Sequence, residues 1–474
     1  MKNYFTNPTA AANSSFFTLH SSFKYVSLHP KSNIMLERYR HHYGALTKLG
    51  VPIVIGQVGN IILSFADTLM VGQHSMEELA AASFVNSMVI LVVIFAMGFS
   101  YGLTPMVGNL FGRGEMDKIG GVVRNGMVAN TVMALIVVVP MVLLYMFVDR
   151  MGQPDELIPL MRPYLLVNLL SVPFVCWLNV FKQFYDAVSD TKVPMYVFLG
   201  GNMLNIIGNY LLIFGKMGLP EMGLLGAGIA TAVSRVVMLL VMAAIFFWHK
   251  RYRIYSEGYR KGRINRKDFG RLNSLGWPLA VQMGMETAAF SVMSLFVGWI
   301  GTTALAAHQI MLTVSQLFYM VYYGMAAAVA VRVSHFHGQG DMQEVRETAK
   351  AGFHIILLIA AVVAVPIFLL RNDISLLFTN DAEVCTLVAQ TVIPLILYQF
   401  GDGLQCTYAN ALRGISCVRP MVISAFISYV LVSIPLSWLL GIKLGFGLPG
   451  VWFTYPITLT LVGAMYYWSF RKRV

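Results

Sequence analysis

Charge is scarce in this chain, and acid is scarcer than base. Lys, Arg, Asp and Glu make up 12% of the 474 residues, where a water-soluble protein of ordinary composition carries roughly 25%. So few charges leave too little polar surface to coat a globule in water, and with mean hydropathy +0.66 the natural solvent of the chain is lipid. Cysteine is nearly absent. Cys176, Cys385, Cys406 and Cys417 lie inside or at the ends of apolar segments, at spacings that fit neither a metal site nor a disulfide framework. They read as small core residues.

Catalytic signatures are missing too. No G-x-x-x-x-G-K-[ST], H-E-x-x-H or G-x-S-x-G occurs, which argues against ATP hydrolysis, zinc proteolysis and serine hydrolysis. The similar turns 112-GRGEMDK-118 and 338-GQGDMQE-344 follow apolar helical stretches rather than strands, so they are not phosphate cradles. The expectation is a protein with no catalytic residue and no cofactor. Residues 1 to 34 contain no acid, no arginine and no apolar h-region, unlike a signal or transit peptide. Met35 directly precedes a basic stretch and the first apolar span, so residues 1–34 read as lying upstream of the true start and residues 1–45 as a polar extension outside the fold.

What is present is long apolar sequence. Crossing about 30 Å of hydrocarbon takes roughly 20 residues, and twelve stretches qualify. They lie at 50–71, 80–110, 121–148, 157–185, 193–215, 224–249, 273–300, 304–332, 347–370, 384–412, 418–441 and 447–470. The net charge of +12 sits between these spans, with nine basic residues in 250–271 alone. Basic loops beside spans set orientation, which leaves nucleic acid without a binding surface.

The two halves of the chain repeat. A shift of 226 residues, without a gap, pairs Gly50, Gly72, Gly98, Gly112, Gly114, Gly126 and Gly215 with Gly276, Gly298, Gly324, Gly338, Gly340, Gly352 and Gly441. It also pairs Pro52, Pro140 and Pro194 with Pro278, Pro366 and Pro420. Chance predicts about one glycine match, and seven occur. Lipid solubility alone does not hold helix-breaking residues in register. Six spans per half return the chain to one side, which makes a parallel repeat about an axis along the membrane normal. The expected fold is all-α and integral to the membrane, with twelve helices in two six-helix bundles around a central cleft. The bundles run over 46–249 and 272–474, joined by a cytoplasmic linker at 250–271, with both termini cytoplasmic.

Ionisable groups at membrane depth cost about 2.5–3.5 kcal/mol each on insertion scales, so they default to function. Three acids qualify most clearly: Asp67 in the outer part of the first span, Glu286 near the middle of the seventh and Asp402 near the middle of the tenth. A buried carboxylate is protonated, paired with a cation or hydrated in a cavity, and each state is a way of holding H⁺, Na⁺ or a cationic substrate. The bland alternative is an interhelical hydrogen bond worth about 0.6 kcal/mol. Tyr398 lies one turn before Asp402, and Asn205 and Asn209 lie one turn apart; hard cations take several oxygens. Arg235 is a further intramembrane candidate. His308 and Gln309 read as helix-end anchors, and Lys182 and Asp186 as a surface pair.

The stretches 63-LSFADTLMVG-72, 205-NIIGNYLLIFGKMG-218, 226-GAGIATAVS-234, 282-QMGMETAAFSVM-293, 304-ALAAHQI-310 and 398-YQFGDGLQ-405 together resemble the multidrug and toxic compound extrusion (MATE) family, in its NorM-like branch. The resemblance covers residues 45–470. It implies a monomeric antiporter in the inner membrane that exports amphipathic organic cations, such as dyes and fluoroquinolone-type drugs, in exchange for Na⁺ or H⁺. It further implies a cation and proton site in the first bundle at Asp67, Asn205, Asn209 and Thr231. A second cation site is implied at Glu286, Tyr398 and Asp402. Some members carry an acid where this chain has Asn209, so the first site here has one fewer charge.

Overall fold

A computed structural model of the protein describes residues 30–474, with side chains from residue 39 onward. The stretch read as an upstream extension lies outside the described residues up to residue 29. From there the reading changes, because helix α1 already begins at Pro30 and runs to His74. Nothing between Pro30 and Gly50 breaks a helix, and proline at a helix start forfeits no hydrogen bond. The first span is therefore the far part of a longer rod.

Among the described residues, twelve helices are long and apolar enough to cross a membrane. In the first half these are α1, α2 (Met76–Gly112), α3 (Met116–Arg150), α4 (Asp155–Ala187), α5 (Lys192–Ile213) and α6 (Gly223–Trp248). A short linker helix, α7 (Arg253–Lys261), follows. The second half holds α8 (Arg266–Ile300), α9 (Thr302–Gln339), α10 (Met342–Leu369), α11 (Ala382–Gly414), α12 (Arg419–Lys443) and α13 (Gly447–Arg471). No strand occurs among the described residues.

The helices are built inside out relative to a soluble bundle. On α3, Leu135 and Val139 face outward at 64% and 58% exposure, with Val132, Leu143 and Met146 on the same stripe. The inward face carries small and polar residues, among them Gly126, Ala129 and Asn130. Asn130 is fully buried; it donates to Gly126 O at 3.0 Å and accepts from Ser100 Oγ at 2.6 Å. Apolar residues outward and satisfied polar groups inward are what a lipid solvent selects.

The linker is tied to the first half. Arg124 Nη1 donates to Gly262 O at 2.8 Å, Asn265 N to Asn125 Oδ1 at 2.9 Å, and Arg251 pairs with Asp190 at 2.8 Å. Tyr252 Oη donates to the same Asp190 carboxylate. Burial raises the Tyr252 hydroxyl pKa, and the bond to Asp190 adds to it.

The halves meet at the linker end along α1 with α9 and α2 with α8. This contact explains the register of glycines. A Cβ on Gly50 would meet Met325, and one on Gly276 would meet Phe99. Gly98 abuts Ala280 and Gly324 abuts Val54; Gly112 abuts the His335 carbonyl and Gly338 abuts Asn109. In each pair the two glycines differ by 226 in number, and so do their two partners. These three duplicated glycine pairs are therefore contact points of a pseudo-two-fold seam, where the two halves approach too closely for a side chain. Polar groups close the same seam: Tyr323 Oη donates to Tyr101 Oη, Arg413 stacks 4.5 Å from the Tyr101 ring centroid, and His335 Nε2 donates to Ala187 O at 2.6 Å. Among the described residues, every cross-half hydrogen bond and ion pair lies at this end. The protein is shut there.

Candidate ion and substrate sites

In the first half, Asp67 on α1, Asn205 and Asn209 on α5, and Thr231 on α6 come together. Asn209 Nδ2 donates to Asp67 Oδ1 at 2.5 Å and to Asn205 Oδ1 at 3.1 Å; Asn205 Nδ2 donates to Thr231 Oγ1 at 3.0 Å. The α5 pair acts from consecutive turns, as its i,i+4 spacing dictates. The Asn205 amide terminus also lies 3.0 Å from Asp67 Oδ1. Turned one way it donates to the carboxylate; turned the other it offers a second oxygen to a cation the carboxylate holds. Asn209 Oδ1 is buried and has no donor among the described residues. Beside the cluster is a cavity of about 80 Å³, lined in part by Ser64, Asp67, Asn86, Tyr164 and Thr231. Arg235, one turn beyond Thr231, donates to Ser171 Oγ at 2.6 Å. Its charge reaches Asp67, although no contact ion pair joins the two among the described residues.

In the second half, Glu286 on α8 and Asp402 on α11 lie close enough to feel each other's charge. Asp402 is 2% exposed. Its Oδ1 accepts from Cys406 Sγ at 3.5 Å, and its Oδ2 has no donor among the described residues. Glu286 is half-buried. It accepts from Gln282 Nε2 at 2.8 Å and lies 3.5 Å from Gln405 Nε2, which also faces Tyr429 Oη at 3.3 Å. Tyr398 is buried in the same region, packed edge-on to Trp452 and Tyr455. No hydrogen bond joins it to Asp402 among the described residues.

Gln282, Gln405, Cys406 and Tyr429 are partners that sequence reasoning passed over. Gln282 and Cys406 were findable, each lying four residues from a carboxylate it bonds. Tyr429 was not. It sits in a π-helical stretch of α12, Phe426–Ser433, whose wider turn re-aims side chains away from the α-helical register.

Two lesser readings are corrected. His308 is not an outer anchor but fully buried: Trp452 Nε1 donates to its Nδ1 at 3.0 Å, leaving Nε2–H to donate to Ser294 Oγ at 2.9 Å. Lys182 and Asp186 form a buried pair, 2.9 Å apart, rather than a surface one. The bundle interior tolerates them because each neutralises the other.

The two carboxylate clusters are separate. Each lies inside its own bundle, not across the central cleft. The MatE family model matches residues 52–211 and 278–439, and the two segments begin 226 residues apart, the offset of the glycine register. The chain belongs to the MatE family. It is 30% identical to the Multidrug resistance protein NorM of Photobacterium profundum, across 86% of this chain and 89% of that protein. It is equally identical to the protein of the same name from Vibrio cholerae, across 91% and 97%. Among solved structures, its fold matches a MOP superfamily transporter from Pyrococcus furiosus with TM-score 0.82 at 19% identity, covering 91% of this chain and 96% of that one. The eukaryotic MATE transporter AtDTX14 matches with TM-score 0.82 at 17% identity, with the same coverage. This MatE chain is thus a multi-pass membrane transporter and not an enzyme.

Proposed function

We propose that this transporter exports amphipathic organic cations of many kinds in exchange for Na⁺ or H⁺, by alternating access across the inner membrane, with both termini cytoplasmic. In this reading it works as a monomer, with no resident cofactor and no nucleic-acid partner. The carrying observation is that each bundle buries a carboxylate cluster with an acceptor oxygen lacking a donor, Asn209 Oδ1 in one and Asp402 Oδ2 in the other. Such oxygens are costly unless something positive arrives, and a proton, a sodium ion or a cationic drug satisfies them.

The shut linker end supplies the other half of the argument. With that end facing the cytoplasm, the described state opens outward, where the coupling ion enters and drug leaves. Ion binding favours the turn inward, where the ion departs and a cytosolic cation takes its place. Each ligand must bind the two states differently, and the coupling is reciprocal. Proteoliposomes loaded with a lipophilic cationic dye and given an imposed Na⁺ or pH gradient provide the test. One gradient should drive dye across the membrane, and the Asp67→Asn, Asp402→Asn double variant should not respond. Movement driven by neither gradient, or full response of the double variant, refutes the reading.

A further inference from the structure

The first bundle holds one charged side chain that the exchange proposed above leaves idle. Arg235 lies one turn after Thr231 on α6, well inside a membrane-spanning helix, and is only partly exposed. Its Nη1 donates to Ser171 Oγ on α4 at 2.6 Å, and that hydroxyl donates onward to Asn168 O at 2.8 Å. Among the described residues this is the guanidinium's one hydrogen bond, although it carries five N–H donors and is never deprotonated in a protein. No carboxylate lies within ion-pair distance of it among those residues. A cation at such depth is costly unless an opposite charge answers it.

Two groups act electrostatically on Arg235, Tyr164 and Asp67, and both line the cavity of about 80 Å³. The Tyr164 hydroxyl is engaged, donating to Asn86 Oδ1 at 3.1 Å. That leaves Asp67 as the carboxylate that can answer the guanidinium. Its Oδ1 accepts from Asn209, and its Oδ2 has no donor among the described residues. The charges then define two arrangements. Asp67 without an ion and Arg235 sum to zero and attract. With a proton or sodium ion on Asp67 they sum to +1, and the guanidinium gains more from Ser171 than from a neutralised carboxylate. The described state, shut at the linker end, has Arg235 on Ser171 and the Asp67 oxygen free.

We infer that Arg235 is a tethered cation that competes with the coupling ion for Asp67, held by Ser171 while the ion is bound and drawn to the carboxylate as the ion leaves. The ion-free first bundle then changes state with its buried charges matched. The ion's part in this rests on the antiport reading; the attraction between Asp67 and Arg235 does not. A double-mutant cycle on the full chain in lipid nanodiscs tests the attraction, with Asp67→Asn, Arg235→Gln and the double variant read by melting temperature. In alkaline, sodium-free buffer the double variant should lose less than the two single variants summed. At high Na⁺ or in acid the effects should become additive. Additivity in sodium-free buffer overturns the pairing, and non-additivity that neither ion removes overturns the competition. The second measurement is the ion concentration that halves dye binding, taken in an Asp402→Asn background so that the first bundle reports alone. Arg235→Gln should lower it about tenfold or more, and Arg235→Lys, which keeps the charge, should leave it nearly unchanged. Ser171→Ala withdraws the docking hydroxyl and should raise it about tenfold, which decides the matter if Arg235→Gln does not fold. Equal concentrations in the background protein, Arg235→Gln and Ser171→Ala overturn the inference. Dye binding in wild type that no ion displaces defeats the antiport reading, and the sodium-free cycle still decides the pairing.

Discussion

Replacing Asp402 by Asn separates a functional carboxylate from a structural one, because the two roles move stability in opposite directions. In the native protein Asp402 is 2% exposed, with one weak sulfur donor on Oδ1 and no donor on Oδ2. Glu286 adds a second negative group within electrostatic reach. A buried acceptor left unsatisfied costs about 1–3 kcal/mol, and more when charged. Asn keeps the shape and an acceptor for Cys406 while removing the charge, so Asp402→Asn should stabilise the fold by about 1–3 kcal/mol. If Asp402 were interhelical glue, the same change would lose about 0.6 kcal/mol. The assay is SDS or thermal denaturation of the purified protein, paired with gradient-driven dye efflux per folded molecule. The expected pattern is a higher midpoint with efflux abolished. A lower midpoint with efflux intact refutes the reasoning.

Four further outcomes follow from the same structure. Asp67→Asn retains the acceptor that Asn209 contacts and removes the charge, so it should fold normally, as judged by gel filtration, yet lose coupled efflux. Gly338→Ala places a methyl group against the Asn109 backbone; overpacking of this kind costs about 1–3 kcal/mol, and it should open the linker end, seen as faster labelling of a cysteine introduced at Ser334. Trp452→Phe orphans His308 Nδ1 and should destabilise by about 1–3 kcal/mol, measured by denaturation with efflux retained in the folded fraction. Cys417, between α11 and α12, has its thiol pKa raised by burial, only partly opposed by Arg473. Less thiolate then exists at pH 8 than for a free cysteine, so alkylation followed by mass spectrometry should be slower there and should accelerate at higher pH than for a model thiol.

The fold was legible because lipid imposes two strong constraints, span length and the placement of helix breakers. Twelve apolar stretches and the 226-residue register both survive in the structure. Even the meaning of Gly50, Gly98 and Gly112 was latent in their pairing, although only the coordinates show that they mark the seam. The clusters were legible where i,i+4 spacing sufficed, as with Asn205 and Asn209. Contacts between distant helices were not. Glu286 with Gln405, and Gln405 with Tyr429, depend on how α8, α11 and α12 rotate against one another, which no local pattern encodes. His308 was misplaced for the same reason. A histidine near a helix start looks exposed until the Trp452 indole from α13 is laid over it. Lys182 and Asp186 look like a surface pair in one dimension because the helix packed against them is invisible there.

The central claim is that the buried carboxylates exchange one cation for another. Binding of a fluorescent cationic dye to purified protein, titrated with Na⁺ at fixed pH and then with pH at fixed Na⁺, tests it without any membrane potential. Dye affinity should fall as the coupling ion rises, and should ignore that ion when Asp67 and Asp402 are both Asn. Dye affinity in wild type that responds to neither Na⁺ nor pH would contradict the account.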